Sequence, residues 1–345
     1  MKKGCSIIAI IALVLFLVGG IFAFQFLKKY KLDNVEKEGY ILVPTGATFE
    51  QVLDSISPYL KNKESFREVA LQKNLDKKIK PGRYKIESDA DNSSLVNMIK
   101  AGNQTENSYR IGDFGTVYQM IGRVSRKTEA DSLAFVNAFN KIAKEKGQSS
   151  AEDLKPYFFA DTYQFFWTVK PEEFFGKFEK DYQEFWTADR IAKEKKLGLT
   201  RNQVYALASI VYKESGGKPD EQETIAGLYL NRYKKGMKLQ SDPTVIYAIN
   251  KQENFKTDIK RVLYKHLSIA SPYNTYKNAG IPPGPICVVD KMSVDAVLNA
   301  KNHNYIYMCA NPKKLGYHKF TASDVEHAQN AKEYQEWLNS KNITK

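Results

Sequence analysis

One acidic residue stands where the pattern calls for an apolar one. In LTRNQVYALASIVYKESGG, Thr200 and Gln203 have capping-box spacing, and Val204, Leu207, Ala208 and Val211 recur at i, i+3, i+4 and i+7, which makes one buried stripe of a helix. The next position on that stripe is Glu214, and Ser215-Gly216-Gly217 ends the helix. A carboxyl on an apolar face is partly desolvated, which disfavours its ionised form. The negative end of the helix dipole acts in the same direction. A carboxylic acid that keeps its proton near neutral pH serves as a general acid. The same placement also suits a buried glutamate paired with Arg232 or a lysine, and the helix alone leaves both readings open.

Neighbouring charges read as structural. Glu221 and Glu223 follow Pro219-Asp220 in the first turn of DEQETIAGLYLNRYKKG, where acids complement the dipole. Asp242 precedes Pro243, an N-cap and then proline, although a cap can also face a cleft. Arg232 and the Lys234-Lys235 pair read as solvated or as holding carboxylate- or phosphate-like groups. The four histidines, His266, His303, His318 and His327, form no HExxH motif, so no metal is expected. Three cysteines, Cys5, Cys287 and Cys309, exclude a disulfide scaffold and a four-cysteine zinc site. Pairing of Cys287 with Cys309 stays open, because spacing does not show that they approach.

The elements that carry these groups follow from the rest of the chain. Its 345 residues suggest about two domains. A hydrophobic fraction of 43% with 26% charged residues excludes wholesale disorder. The net charge of +13 favours acidic partners: nucleic acid, anionic lipid or an anionic polymer. From Gly4 to Leu27 there is no charge, and such a run spans ~36 Å as a helix, enough for a bilayer core. It is too long for a cleavable signal peptide and lacks a convincing cleavage site, so an uncleaved anchor is expected over 5–27, with 1–4 cytoplasmic. Cys5 precedes the apolar run and does not resemble a lipoprotein cysteine. Flanking lysines slightly favour the opposite orientation, so the outside placement of the large part rests on function. The anchor, with no concentrated basic helix, argues against nucleic acid.

Residues 32–104 read as strand, helix, helix, strand, helix. Thr48 is the expected N-cap, Phe66, Val69, Ala70 and Leu71 a buried face, and Gly102 a stop. That order is close to a LysM-like α+β module. Residues 105–198 are a connecting region whose aromatic run YFFADTYQFFWTVKPEEFF suits a packed core or a sugar groove. Residues 199–345 hold the densest chemistry, and the polar tail after Trp337 is expected to fray.

Four blocks, ALASIVYKES, IAGLYLNRYKKGMKLQSDPTVIYAI, SPYNTYKNAGIPPGPIC and YIYMCANPKKLGYHKF, resemble the endolytic murein transglycosylases of the YceG-like family. ADTYQF and the LysM-like unit extend the likeness more loosely. The resemblance implies an α+β fold: an N-terminal transmembrane helix, the LysM-like module, and a catalytic domain (105–198 with the core 199–345) with a lysozyme-like helical region around its glutamate. It implies a single-pass protein of the cell inner membrane whose catalytic part is periplasmic or extracytoplasmic. The substrate is then peptidoglycan glycan strands, and peptidoglycan synthases are partners.

Glu214 maps onto the family's catalytic glutamate. Many relatives carry another Glu two positions earlier; here it is Tyr212, which excludes an essential role for that acid. Gln240, Ser241 and Asp242, the loop residues Tyr273, Asn274, Thr275 and Tyr276, and His318 map onto glycan-binding or site-shaping positions. One acid suffices for this reaction, because the muramoyl C6 hydroxyl is a tethered nucleophile that closes a 1,6-anhydro ring. No cofactor is required. Two other readings remain: a non-catalytic wall-binding or scaffold protein, and a muramidase that uses water with Asp242 as second carboxyl.

Overall fold

A computed structural model describes residues 2–256, 259 and 262–341, with residues 2–10 as backbone only; Met1 and the tail residues 342–345 lie outside the described residues. The chain mixes helices with short strands and divides into two units, Met1–Tyr109 with Ser125–Asp131 and Gln164–Lys170, and Arg110–Val124 with Ser132–Tyr163 and Pro171–Lys345.

The first unit opens with α1 (Lys2–Tyr30), which among the described residues is the one helix long and apolar enough to cross a membrane. Its end is tied down: Asn92 Nδ2 donates to Lys29 O at 2.8 Å, and Lys29 pairs with Glu68. There follow β1 (Gly39–Val43), α2 (Phe49–Ile56), α3 (Lys63–Gln72), β2 (Gly82–Ile86) and α4 (Asn92–Ala101). β1 and β2 pair antiparallel, Gly39 opposite Ile86 and Val43 opposite Gly82. Period-two alternation sends Ile41, Val43, Tyr84 and Ile86 inward, onto the apolar faces of the three helices.

Thr48 and Gln51 form a full capping box, and Gly102 ends α4 at φ +76°, a conformation that favours glycine. Leu71 departs from expectation. It is exposed, because it lies more than a quarter-turn off the stripe of Phe66, Val69 and Ala70. The chain leaves this unit through β3 (Asn107–Arg110).

The second unit contains α5 (Val117–Val124) and α6 (Ser132–Glu145). After β4 (Thr162–Phe165) come α7 (Pro171–Phe185), α8 (Ala188–Leu197), α9 (Arg201–Glu214), α10 (Pro219–Lys234), α11 (Asp242–Gln252) and α12 (Lys291–Leu298). β5 (Tyr307–Ala310), β6 (His318–Thr321) and α13 (Asp324–Ser340) complete it. Of the tail expected to fray after Trp337, the part up to Ser340 is helical and the residues 342–345 lie outside the described ones; Ser323 caps α13.

α9 is the unit's centre. Val204 through Val211 are all buried, so the helix is enclosed on every side rather than along one stripe. It packs against α10, α11 and α12. Phe158, Phe159, Phe174 and Phe175 from the aromatic run are core, joined by Phe178 of α7, whose ring lies 4.9 Å from that of Phe158.

Candidate functional site

Local sequence fixes where α9 stops. Thr200 and Gln203 cap its start, Ser215 N donates to Val211 O at 2.9 Å, and Gly216 and Gly217 turn the chain away at φ +58° and +76°. Glu214 is therefore the last helical residue, in a solvent-connected pocket of about 370 Å³. Facing it are α10, the residues leading into α11, and the β5–β6 pair, whose register sets Ala310 opposite His318.

Two neutral hydroxyls hold the carboxyl. Tyr229 OH donates to Glu214 Oε1 at 2.8 Å and Ser241 Oγ donates to the same oxygen at 2.6 Å. Neither donor reaches Oε2, so an acid proton belongs on Oε2. No ion pair with Glu214 occurs among the described residues. Arg232, the cation that the sequence offered as partner, is spent on Lys238 O, Ile306 O and Gln240 Oε1. Burial pushes the Glu214 pKa up; the Ser241 and Tyr229 donors and nearby His318 pull the other way, and Asp242 adds to the rise. Burial is the largest of these influences, and the carboxyl is held above the ordinary glutamate range.

The other expected residues divide by place. Gln240, Asp242, Tyr276 and His318 line the Glu214 pocket. Asp242 is the first helical residue of α11 rather than its cap, and its Oδ1 accepts from Tyr276 OH at 2.6 Å. Ser241 is fully buried, and its hydroxyl donates to Glu214. Thr275 is buried behind it: its Oγ1 accepts from Ser241 N at 3.0 Å and meets Thr244 Oγ1 at 2.8 Å. Asn274 is buried too, donating to Leu267 O and Ile269 O at 2.9 Å each and accepting from Tyr276 N, so it shapes the loop.

Tyr273 lies elsewhere, on a larger cavity of about 990 Å³ that shares no lining residue with the Glu214 pocket. There the buried Lys155 ammonium is satisfied by Glu152, Tyr247 OH and Pro285 O. Size alone would favour that cavity. The desolvated acid with an open oxygen is in the smaller one.

Tyr229 escaped the sequence reading, and Arg232, read as a Glu214 partner or as solvated, is buried instead. Both sit on the buried face of α10 with Gln222 and Ile225, at i, i+3, i+7 and i+10; polar residues on such a face were the available signal. Glu221, read as a helix-start acid, is buried and binds His318 through both oxygens, to the backbone N at 2.9 Å and Nδ1 at 3.0 Å. The two cysteines do not pair. Cys287 is buried with Sγ 3.9 Å from Ser209 O, whereas Cys309 is on β5 at the pocket wall.

The YceG-like family model matches residues 41–333. The endolytic murein transglycosylase of Bacillus subtilis is 27% identical over 349 residues, covering 94% of this chain and 92% of that protein. A protein of the same description from Streptococcus pneumoniae is 25% identical over 378 residues, covering 98% of this chain and 66% of its own length. A YceG-like protein of Listeria monocytogenes has a similar fold, with a TM-score of 0.57 at 23% identity over 85% of this chain and 99% of that one.

Proposed function

The chain belongs to the YceG-like family, and on that premise we propose that it is an endolytic murein transglycosylase with Glu214 as its acid and base. What carries this reading is a desolvated carboxyl with Oε1 tied to two hydroxyls and Oε2 turned to neither. Glu214 Oε2–H protonates the oxygen of the MurNAc-GlcNAc β-1,4 bond as that bond breaks. The carboxylate then takes the proton of the muramoyl C6 hydroxyl as its oxygen closes on C1. The product is a 1,6-anhydroMurNAc end, and no water is consumed. The attacking group is already part of the sugar, so little entropy is lost in bringing it into place.

Gln240, Asp242, Tyr276 and His318 are the groups able to touch the sugars, with Ser241, Thr275 and Asn274 holding the frame. Tyr273 belongs to a separate surface of the same unit. Residues 32–104 serve as a LysM-like glycan-binding module, 105–198 and 199–345 as the catalytic domain, and 5–27 as a single-pass inner-membrane anchor with the catalytic part outside the cytoplasm. There the protein sizes or terminates nascent strands, alongside peptidoglycan synthases.

Asp242 shares the pocket and supports the competing hydrolase reading. Digestion of purified glycan strands with the full chain and with Glu214→Gln, followed by mass analysis, decides. Anhydro ends that vanish in the variant support the proposal. Hydrated reducing ends move it to a muramidase, and strands left intact by both proteins move it to a wall-binding protein.

A further inference from the structure

Glu221 and His318 form a pair that the cleavage chemistry above does not use. Glu221 is 8% exposed, and both its oxygens are committed to one residue: Oε1 accepts from His318 N and Oε2 faces His318 Nδ1. A carboxylate has no proton to give, so the imidazole must donate from Nδ1. The double attachment also stops the ring from turning over. A neutral His318 then presents Nε2 as a lone pair, and this side chain lines the Glu214 pocket.

His303 shows the opposite arrangement within the same unit. Its Nε2 lies 3.0 Å from the carbonyl of Thr224 and its Nδ1 accepts from Tyr305 N, which fixes the Nε2–H form. The fold thus specifies both tautomers, and only the one at the pocket is set by a carboxylate.

We infer that Glu221 is a positioning residue that locks His318 in the Nδ1–H tautomer, so that Nε2 receives a hydrogen bond from a hydroxyl or acetamido N–H of the bound glycan. This rests on the glycan-cleaving reading and adds to it an acceptor beside the acid. The other polar side chains of the pocket are Gln240, Arg232, Asp242, Tyr229, Tyr276, Tyr307 and His327. Asp242 Oδ1 already accepts from Tyr276, and Gln240 Oε1 from Arg232. In its neutral form His318 thus offers at Nε2 an acceptor without a partner among the described residues, and the buried Nδ1 of His327 in the same pocket likewise has none.

The test uses the full chain in detergent micelles with 15N-labelled histidine, and His318→Asn to assign the ring signals. In the wild type, long-range 15N–1H correlations should show Nδ1–H for His318 and Nε2–H for His303. In Glu221→Ala, His318 should shift toward Nε2–H. Placed in a Glu214→Gln background, Glu221→Ala and His318→Phe should each weaken binding of uncrosslinked glycan strands by about tenfold. An Nε2–H form of His318 in the wild type overturns the inference, whether or not the variants fold. So does strand binding that is unchanged when His318 is replaced. Binding and tautomer are read without cleavage, so persistence of cleavage in Glu214→Gln would count against the transglycosylase reading alone.

Discussion

Ser241 Oγ lies 2.6 Å from Glu214 Oε1, joined there by Tyr229 OH at 2.8 Å, so the half-buried acid is restrained by hydroxyls and not by a cation. A hydroxyl orients the carboxyl without abolishing the effect of burial, whereas a paired guanidinium would hold it ionised.

Both hydroxyls favour the carboxylate over the acid. Removing either in Ser241→Ala or Tyr229→Phe should therefore raise the Glu214 pKa further. The alkaline limb of kcat/KM should move to higher pH, because the protonated form is the active one. Each change should also lower kcat by about tenfold, from ~1.5 kcal/mol for a hydrogen bond to a charged acceptor. A pH–rate profile checks both effects, and an unmoved alkaline limb counts against the assignment.

Stability should follow the same carboxyl. Its folded pKa is raised, so its contribution is fully present below the unfolded value of ~4.3 and is lost as pH rises through the folded pKa. Glu214→Gln cannot ionise. Its Tm should exceed that of the wild type at alkaline pH, with the gap closing toward acid. Paired melting curves across pH measure this.

Asp242 and Glu214 should differ in kind. Glu214→Gln should lose 10²–10⁴-fold in rate, roughly the range for a general acid. Asp242→Asn should lose about tenfold or less and still yield anhydro ends, because its Oδ1 serves Tyr276. Product masses and initial rates separate the two.

Gly227 on α10 has no room for a side chain: a Cβ there would meet Lys301 O at 2.4 Å and His303 Nε2 at 2.8 Å. Gly227→Ala should destabilise by ~1–3 kcal/mol, as for overpacking. Gly122 on α5 has nothing within 4 Å, and Gly122→Ala should stabilise by ~0.5–1 kcal/mol through helix propensity. Urea titration of the two variants gives the contrast.

In a Cys5→Ser background, the native protein should take up thiol reagent at Cys309 and not at Cys287. Burial pushes the Cys287 thiol up to about 12, which leaves little thiolate. Mass spectrometry under non-reducing conditions should find two free thiols, and a Cys287–Cys309 disulfide would refute the separation.

Much of this was legible in the chain. Thr48, Thr200 and Gly102 announced helix ends, because capping is a local exchange between a side chain and the nearest backbone groups. The apolar period brought Glu214 to notice, and uncharged length marked α1. Asn274 and Thr275 show where such reading ends. Both stand in a loop that resembles glycan-contacting segments, yet their side chains are spent on Leu267, Ile269, Ser241 and Thr244.

The sequence by itself determined that an acid would stand at the end of a helix on its apolar stripe, since periodicity and capping act within a few residues. Which groups meet that acid was decided only by tertiary structure: Tyr229 from α10, Ser241 ahead of α11 and His318 from β6 lie 15, 27 and 104 positions further along the chain. Hydrogen bonds at such separation depend on how helices pack, and packing is set by the whole core at once.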